Sequence, residues 1–347
     1  MKKQEPAKPI TRLPRRPTLR TVADASGLAV TTVSRALNNA DDIALSTRAR
    51  VKQVADELGY VPNRAGRGLR TGRTHILSMV LPPHARITGY TASIISGLGE
   101  VCRDAGFELS ATPDAPNQDE LAVVKSVVQN HRADGIVLSH TTPQDLRVKY
   151  LIENEFPFVT HGRTELASSH ASVDFDNELF AKLAANRLAA RGRKRLMLVG
   201  DSSSLTYQSH LLNGFRRSVI RNGLDYIEPP QALSLAMPLT KLREMITSIF
   251  VSGDAPDGIV CAGETATLAI MAGVHDAGLT PGIDVEIVAK QTTAMLDHVF
   301  PEVDSYVEDI TLTGRRLGET LLQVIEGQLP LDQLNTLIPP EPRLRLG

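Results

Sequence analysis

Residues 18–69 read TLRTVADASGLAVTTVSRALNNADDIALSTRARVKQVADELGYVPNRAGRGL, and the meaning of the rest of the chain turns on them. Thr18 is placed to cap a first helix in which Leu19, Val22 and Ala23 recur at helical spacing. Gly27 ends it. A glycine there tolerates the left-handed backbone of a tight turn, so the next periodic run, Val30 to Leu37, crosses the first helix at a steep angle. This is the pattern of a helix-turn-helix. The second helix is expected to bury Val33 and Leu37 and to point Val30, Thr31, Ser34, Arg35 and Asn38 outward, side chains of the kinds that touch base edges and phosphates. A third helix is expected from a cap at Ser46 through Val51, Val54, Ala55 and Leu58 to a stop at Gly59.

The stretches VADASGLAVTTVSRALNN (22–39) and ELGYVPNRAGRGLRTGRT (57–74) resemble the head and hinge of the lactose-repressor (LacI/GalR) family of bacterial transcription regulators, in order and at the family's spacing. The resemblance runs on to the last strand and leaves out only about the first seventeen residues. It implies a small all-α helix-turn-helix head followed by an α/β, two-lobed, periplasmic-binding-protein-like effector domain with parallel sheets covered by helices. By this resemblance Val30 and Thr31 occupy the positions that chiefly vary with operator sequence. Val30 would then meet a thymine methyl, Thr31 a base edge, and Arg35 a guanine in bidentate fashion. Thr32, Ser34, Asn38, Thr47, Tyr60 and Asn63 are expected to hold phosphates and fix register, with Arg20 and Arg64 adding charge. Family heads usually carry serine where Ala29 stands, so the recognition helix should lack its side-chain cap.

Pro62 suits the first position of a further helix ending near Leu69. A helix of about seven residues with Gly66 and Gly68 inside it falls well short of the roughly dozen residues needed for marginal stability in water. It should be unfolded when free. The resemblance implies that two such hinges pair over a bent minor groove, where Leu69 wedges between base pairs.

Composition bounds the remainder. With 347 residues and 42% hydrophobic content the chain can bury a large core and hold a small domain beside a two-lobed one. Its net charge of −1 hides an asymmetry: through residue 75 there are fifteen Lys and Arg against six Asp and Glu, and the remainder is net acidic. A basic head on an acidic body turns the head toward a polyanion. The two cysteines, Cys102 and Cys261, read as reduced core residues, and the nine histidines show no metal spacing, so no metal or cofactor is expected. The amino terminus has charges but no apolar signal core, and no run reaches transmembrane length, which points to a cytoplasmic protein with no membrane partner. Without Trp and with 4% aromatics it lacks the stacking platforms of single-strand or RNA binders.

From His75 onward apolar strands alternate with helices, the mark of parallel sheets covered on both faces. Strands are expected at 76–81, 108–111, 135–138 and 157–160, then at 196–200, 258–262 and 285–288, in two lobes joined by crossing segments near His170–Asp174, Asp304–Glu308 and Thr336–Pro339. The expected division is a basic tail (1–17), a head (18–61), a hinge (62–74) and an effector and dimerisation domain (75–347). Within the last, lobe 1 takes about 75–172 and 307–336 and lobe 2 about 173–306 and 337–347.

Open parallel sheets bind ligands at the carboxyl ends of their strands. That rule collects Pro82, Ser139, His161, Arg163, Gly263, Glu264, Lys290 and Gln291, with Asp176 and Lys182 on the adjoining helix. Where sugar-binding members commonly carry an aspartate this chain has Gln291 after Lys290, and Gly263 replaces a common asparagine. With Arg163 and Lys182 nearby, one reading is a sugar acid or sugar phosphate held by Arg163 and Lys290; the competing one is a neutral sugar. The partners implied are a pseudo-palindromic double-stranded operator, a small-molecule effector and a second copy of the chain, with the helix over 311–325 and the surface after Ile94 as dimer contacts. A solute-binding protein would share the lobes but have no use for the first seventy or so residues. An α/β enzyme of sugar metabolism would need phosphate-cradling glycines. Gly97-Leu98-Gly99 lacks the third glycine and lies in a helical pattern, so it reads as close packing.

Overall fold

The computed structural model describes residues 17–60, 72–81, 89–113, 119–201, 204–253 and 255–345. The hinge residues Pro62, Asn63, Arg64 and Leu69 and the cleft candidate Pro82 lie outside the described residues. The chain divides after Thr74 into two compact units.

In the first unit, helix α1 (Leu19–Ser26) opens on a reciprocal cap: the Thr18 hydroxyl accepts from the Thr21 amide at 3.3 Å, and the Thr18 amide donates to Thr21 Oγ1 at 3.1 Å. Gly27 closes it at φ 66°. Helix α2 (Val30–Leu37) begins at Ala29 with no side-chain cap. Restoring the hydroxyl with Ala29→Ser should stabilise the start of α2 by about 1 kcal/mol, read as roughly fivefold slower exchange of its first free amides. Unchanged exchange would mean the turn backbone already satisfies them. Helix α3 (Leu45–Glu57) starts one residue before Ser46, with Ala44 at the cap position, so the expected Ser46 cap is replaced by an uncapped start. The small core takes Val22, Ala23, Val33, Ala36, Val51 and Ala55. Ala36 fills the place expected of Leu37, which is half-buried at its margin.

The second unit has two six-stranded sheets. The first runs in the order β11 (Asn335–Ile338), β5 (Ser172–Phe175), β4 (Phe158–His161), β3 (Gly135–Leu138), β1 (Ile76–Leu81), β2 (Glu108–Pro113), all parallel. Its strands alternate faces as a pleat requires. Leu77, Met79 and Val137 pack under α4 (Tyr90–Asp104) and α12 (Ile310–Glu326). Val80, Ile136 and Leu138 pack under α5 (Glu120–Gln129) and α6 (Leu146–Glu153). The second sheet runs β12 (Glu341–Arg343), β10 (Asp304–Val307), β9 (Glu286–Gln291), β8 (Gly258–Cys261), β6 (Arg195–Val199), β7 (Asp225–Tyr226), with β12 alone antiparallel. It is covered by α7 (Asn177–Ala190) and α8 (Thr206–Arg221) on one face and by α9 (Leu239–Val251), α10 (Glu264–Asp276) and the short α11 (Met295–Val299) on the other.

The chain crosses between lobes after β5, after β10 and between β11 and β12, at or just beyond the ends of the segments expected to cross. The segments read as crossings are themselves strands that carry buried acids, Asp174 in β5 and Asp304 in β10. Asp304 is wholly buried and accepts from Arg187 Nε and from the Arg345 amide, each at 2.7 Å, which ties the carboxyl-terminal segment to lobe 2. Helices α4 and α12, expected as dimer contacts, pack on each other through Gly97 and Gly314. Gly99 faces open space.

Candidate functional site

On the first unit, Val30, Thr31, Arg20 and Arg35 are exposed, while Thr32, Ser34, Thr47 and Tyr60 are half-buried. Val30 at 40% exposure opens α2 with its apolar surface turned to solvent, which nothing in the small core requires. Asn38 closes α2, its side-chain amide donating to the Ser34 carbonyl at 2.7 Å. The Arg35 guanidinium pairs with Asp42. Of the twelve head and hinge candidates, the nine described ones lie on or beside α2, at the start of α1, in the first turn of α3 or just after α3.

In the second unit, the carboxyl ends of the strands in both sheets face one cavity between the lobes. It spans about 950 Å³ of space, its open, solvent-filled mouth included. Lobe 1 contributes Tyr90, His140, Thr141 and His161; lobe 2 contributes Tyr207, Leu235, Gly263, Glu264, Lys290 and Thr292. Asp174, Asn177 and Glu308 line it where the chain crosses. Two further ties join the lobes beside it. The Thr206 amide and hydroxyl donate to the Thr141 carbonyl at 2.9 and 3.1 Å, and Arg163 Nη2 lies 3.2 Å from His210 Nδ1.

A buried polar chain spans the cavity wall. The Tyr90 hydroxyl lies 2.6 Å from His161 Nδ1, His161 Nε2 is 3.6 Å from Glu308, and Glu308 Oε2 is 2.6 Å from Lys290 Nζ, which also meets Asn177 Oδ1 at 3.2 Å. Lys290 further sits over the rings of Phe175 and Tyr207, at 5.1 and 5.5 Å from their centroids. Burial alone would push the Glu308 carboxyl up, but the Lys290 ammonium and then His161 outweigh it and hold it at about 2. The Tyr90 phenol is pushed up by burial and by Glu308, so it stands beside His161 as a neutral hydroxyl. His140, at φ 54°, is pushed down to about 4 by burial and by the neighbouring His161, so it faces the cavity as a neutral ring. Arg147 holds that loop from behind, donating to the carbonyls of Ser139 and His140 at 3.2 and 3.1 Å while paired with buried Asp145.

The cluster of cations expected from the sequence does not assemble. His161, Gly263, Glu264 and Lys290 line the cavity; Ser139, Arg163, Asp176, Lys182 and Gln291 do not. Lys182 is exposed on α7, and Asp176 caps that helix by accepting from the Leu179 amide at 2.9 Å. Gln291 is wholly buried, its amide donating to Asp297 at 2.8 Å. Arg163 is committed to Asp174 at 2.8 Å, and Lys290 to Glu308. Glu264, at 6% exposure, accepts from the hydroxyls of Thr293 at 2.6 Å and Thr292 at 3.2 Å and makes no ion pair among the described residues. The lining therefore holds more acid than base, the reverse of an anion site. Tyr90, Tyr207, Asp174, Asn177 and Glu308 were missed as site residues, although Asp174 and Glu308 fall in segments that the sequence marks as crossings.

Residues 18–63 match the family model for bacterial regulatory proteins of the lacI family, and residues 74–336 match that for periplasmic binding proteins and the sugar binding domain of the LacI family. The chain belongs to the LacI family. It is similar to the HTH-type transcriptional regulator AglR of Rhizobium meliloti strain 1021, 30% identical over 302 residues that cover 86% of this chain and 82% of AglR. It is also similar to the HTH-type transcriptional regulator CelR of Thermobifida fusca, 27% identical and covering 90% and 93% of the two chains. Among solved structures, the lac repressor dimer bound to operator and the anti-inducer ONPF matches at TM-score 0.81 and 20% identity, covering 94% of this chain and 98% of that one. That likeness concerns the fold. As a LacI-family member the protein is a DNA-binding transcription regulator with a sugar-binding domain, not an enzyme. Among the described residues no helix is long and apolar enough to cross a membrane.

Proposed function

We propose that this LacI-family regulator is a dimeric repressor of carbohydrate-utilisation genes whose effector is an uncharged saccharide. The observation that carries the effector class is the cavity wall. Its one lining cation among the described residues is already neutralised by Glu308, two tyrosine rings face in from opposite lobes, and Glu264 and Asp174 present carboxylate oxygens. Sugar hydroxyls are donors that such oxygens accept, and the apolar faces of sugar rings lie on aromatic rings, whereas a carboxylate or phosphate would enter a wall of its own sign. The sugar-binding description of the family model supports this reading, as does the CelR structure described as a cellobiose complex, 22% identical with TM-score 0.68.

The coupling follows from linkage. An effector held between the lobes favours whichever lobe arrangement it binds better, and it moves operator binding only by that difference in affinity. Shifting the population from 1:99 to 99:1 takes roughly a 10⁴-fold preference. Calorimetric titration with cellobiose and other neutral disaccharides, set against sugar acids and sugar phosphates of the same size, tests the effector class. Neutral ligands should bind, the anionic ones about tenfold or more weaker, and Glu264→Gln should weaken the neutral ligands. Tight binding of a sugar acid that is lost in Arg163→Ala would overturn the proposal. Duplex binding that weakens steeply between two salt concentrations checks the regulator reading by itself.

A further inference from the structure

The three-helix part of the head is not basic. Residues 18–60 hold five cationic side chains, Arg20, Arg35, Arg48, Arg50 and Lys52, and five acidic ones. The cationic surplus lies outside them, six against one in residues 1–17 and four against none in residues 61–75. Two of the five cations are also turned onto their own backbone. Arg48 Nε donates to the Ile43 carbonyl at 2.7 Å and Arg50 Nη2 to the Ser26 carbonyl at 3.0 Å. A reader built this way draws little affinity from phosphates through its helices, so what its helices contribute is discrimination.

Arg35 is where the structure shows how. It lies in the last turn of α2, and its own carbonyl accepts from the Ala40 amide at 3.0 Å as the chain reverses through Asn39 at φ 54°. That reversal brings Asp42 back beside the guanidinium it pairs with. Both side chains remain about half exposed, so the pair is accessible from solvent. A guanidinium carries five donors in a planar fork, so one edge can stay on a carboxylate while another meets a guanine.

Resting on the reading of α2 as the recognition helix, we propose that Asp42 is a positioning residue for specificity. It holds Arg35 in a rotamer aimed at a base edge and keeps the guanidinium from being captured by phosphate. The carboxylate acts in two directions: it lowers the entropy lost when Arg35 reads a guanine, and its charge repels the backbone oxygens that a free arginine would seek.

The test uses the full-length protein and two probes: a duplex that it selects from a random pool, and a scrambled duplex of the same composition, each titrated over a series of salt concentrations. Asp42→Asn should raise affinity for the scrambled duplex several-fold and steepen its log–log salt slope by about 0.9, one added phosphate contact. The ratio of selected to scrambled affinity should fall about tenfold. In an Arg35→Ala background the same change should leave that ratio where Arg35→Ala alone puts it. An equal gain on both duplexes is plain removal of a negative charge and overturns the proposal, as do an unchanged slope and ratio. Arg35→Ala alone separates the two ideas. If it leaves discrimination intact, the reading of α2 fails, whatever Asp42 does.

Discussion

Lys290→Met is expected to destabilise the effector domain by on the order of 3–5 kcal/mol, because it strands the Glu308 carboxylate in the buried wall between the lobes. Methionine keeps the volume of the lysine stem, so the loss is electrostatic and not a cavity. The double variant Lys290→Met/Glu308→Gln should recover most of it, since a buried ion pair replaced by neutral groups of similar size is often close to neutral in stability. The pH dependence has a definite sign. In the wild type Glu308 is depressed from 4.5 to about 2, so its contribution is complete above the unfolded value and is lost as the pH falls from about 4.5 toward 2. In Lys290→Met the largest remaining influence is burial, which raises the carboxyl, so the variant should become more stable as the pH falls from neutral toward 5. Urea unfolding of the effector domain at pH 7 and pH 5 reads both effects. A variant as stable as the parent at pH 7, with no gain at pH 5, would mean that His161 suffices to hold the carboxylate.

What the sequence showed and what it hid have separate physical causes. Strand β3 is a continuous apolar run and β1 is broken only by Ser78, so length and flanking turns place them to the residue. Strands β5 and β10 read as connections because Asp174 and Asp304 interrupt their apolar pattern; both acids are buried only because arginines from elsewhere in the chain meet them. Helix α9 carries its own signal, Leu242 and Ile246 repeating at helical spacing. The cleft was legible because the carboxyl ends of parallel strands are a property of topology. Its charge was not. Lys290 and Glu308 lie eighteen positions apart and Arg163 and Asp174 eleven, so cations counted one by one along the chain are neutralised by partners that only folding supplies. Tyr90 and Tyr207 were hidden for another reason: each stands in the first turn of a helix, where an aromatic reads as core.

Gly97→Ala is expected to cost about 3 kcal/mol or more, at or beyond the upper end of ordinary overpacking, because the atoms it meets are backbone and have no rotamer to yield. A Cβ at Gly97 would stand 2.1 Å from the Thr311 carbonyl oxygen and 2.8 Å from the Arg315 nitrogen; one at Gly314 would stand 2.4 Å from the Ile94 carbonyl oxygen. The two helices can separate only as rigid bodies, and both carry the cleft. Helix α4 begins at Tyr90 and α12 begins two residues after Glu308, so parting them moves the phenol and the carboxylate that His161 joins. The variant should therefore lose effector affinity as well as stability, with its DNA-reading helices untouched. Gly99, two residues on in the same helix, is the control. A Cβ there meets nothing within 4 Å, and exchanging a helix-interior glycine for alanine should stabilise by about 0.5–1 kcal/mol. Opposite signs at positions two residues apart follow only if α4 is seated on α12 through Gly97. Equal shifts in the urea midpoint of the two variants would show that the helices have room between them and that this contact does not set the cleft.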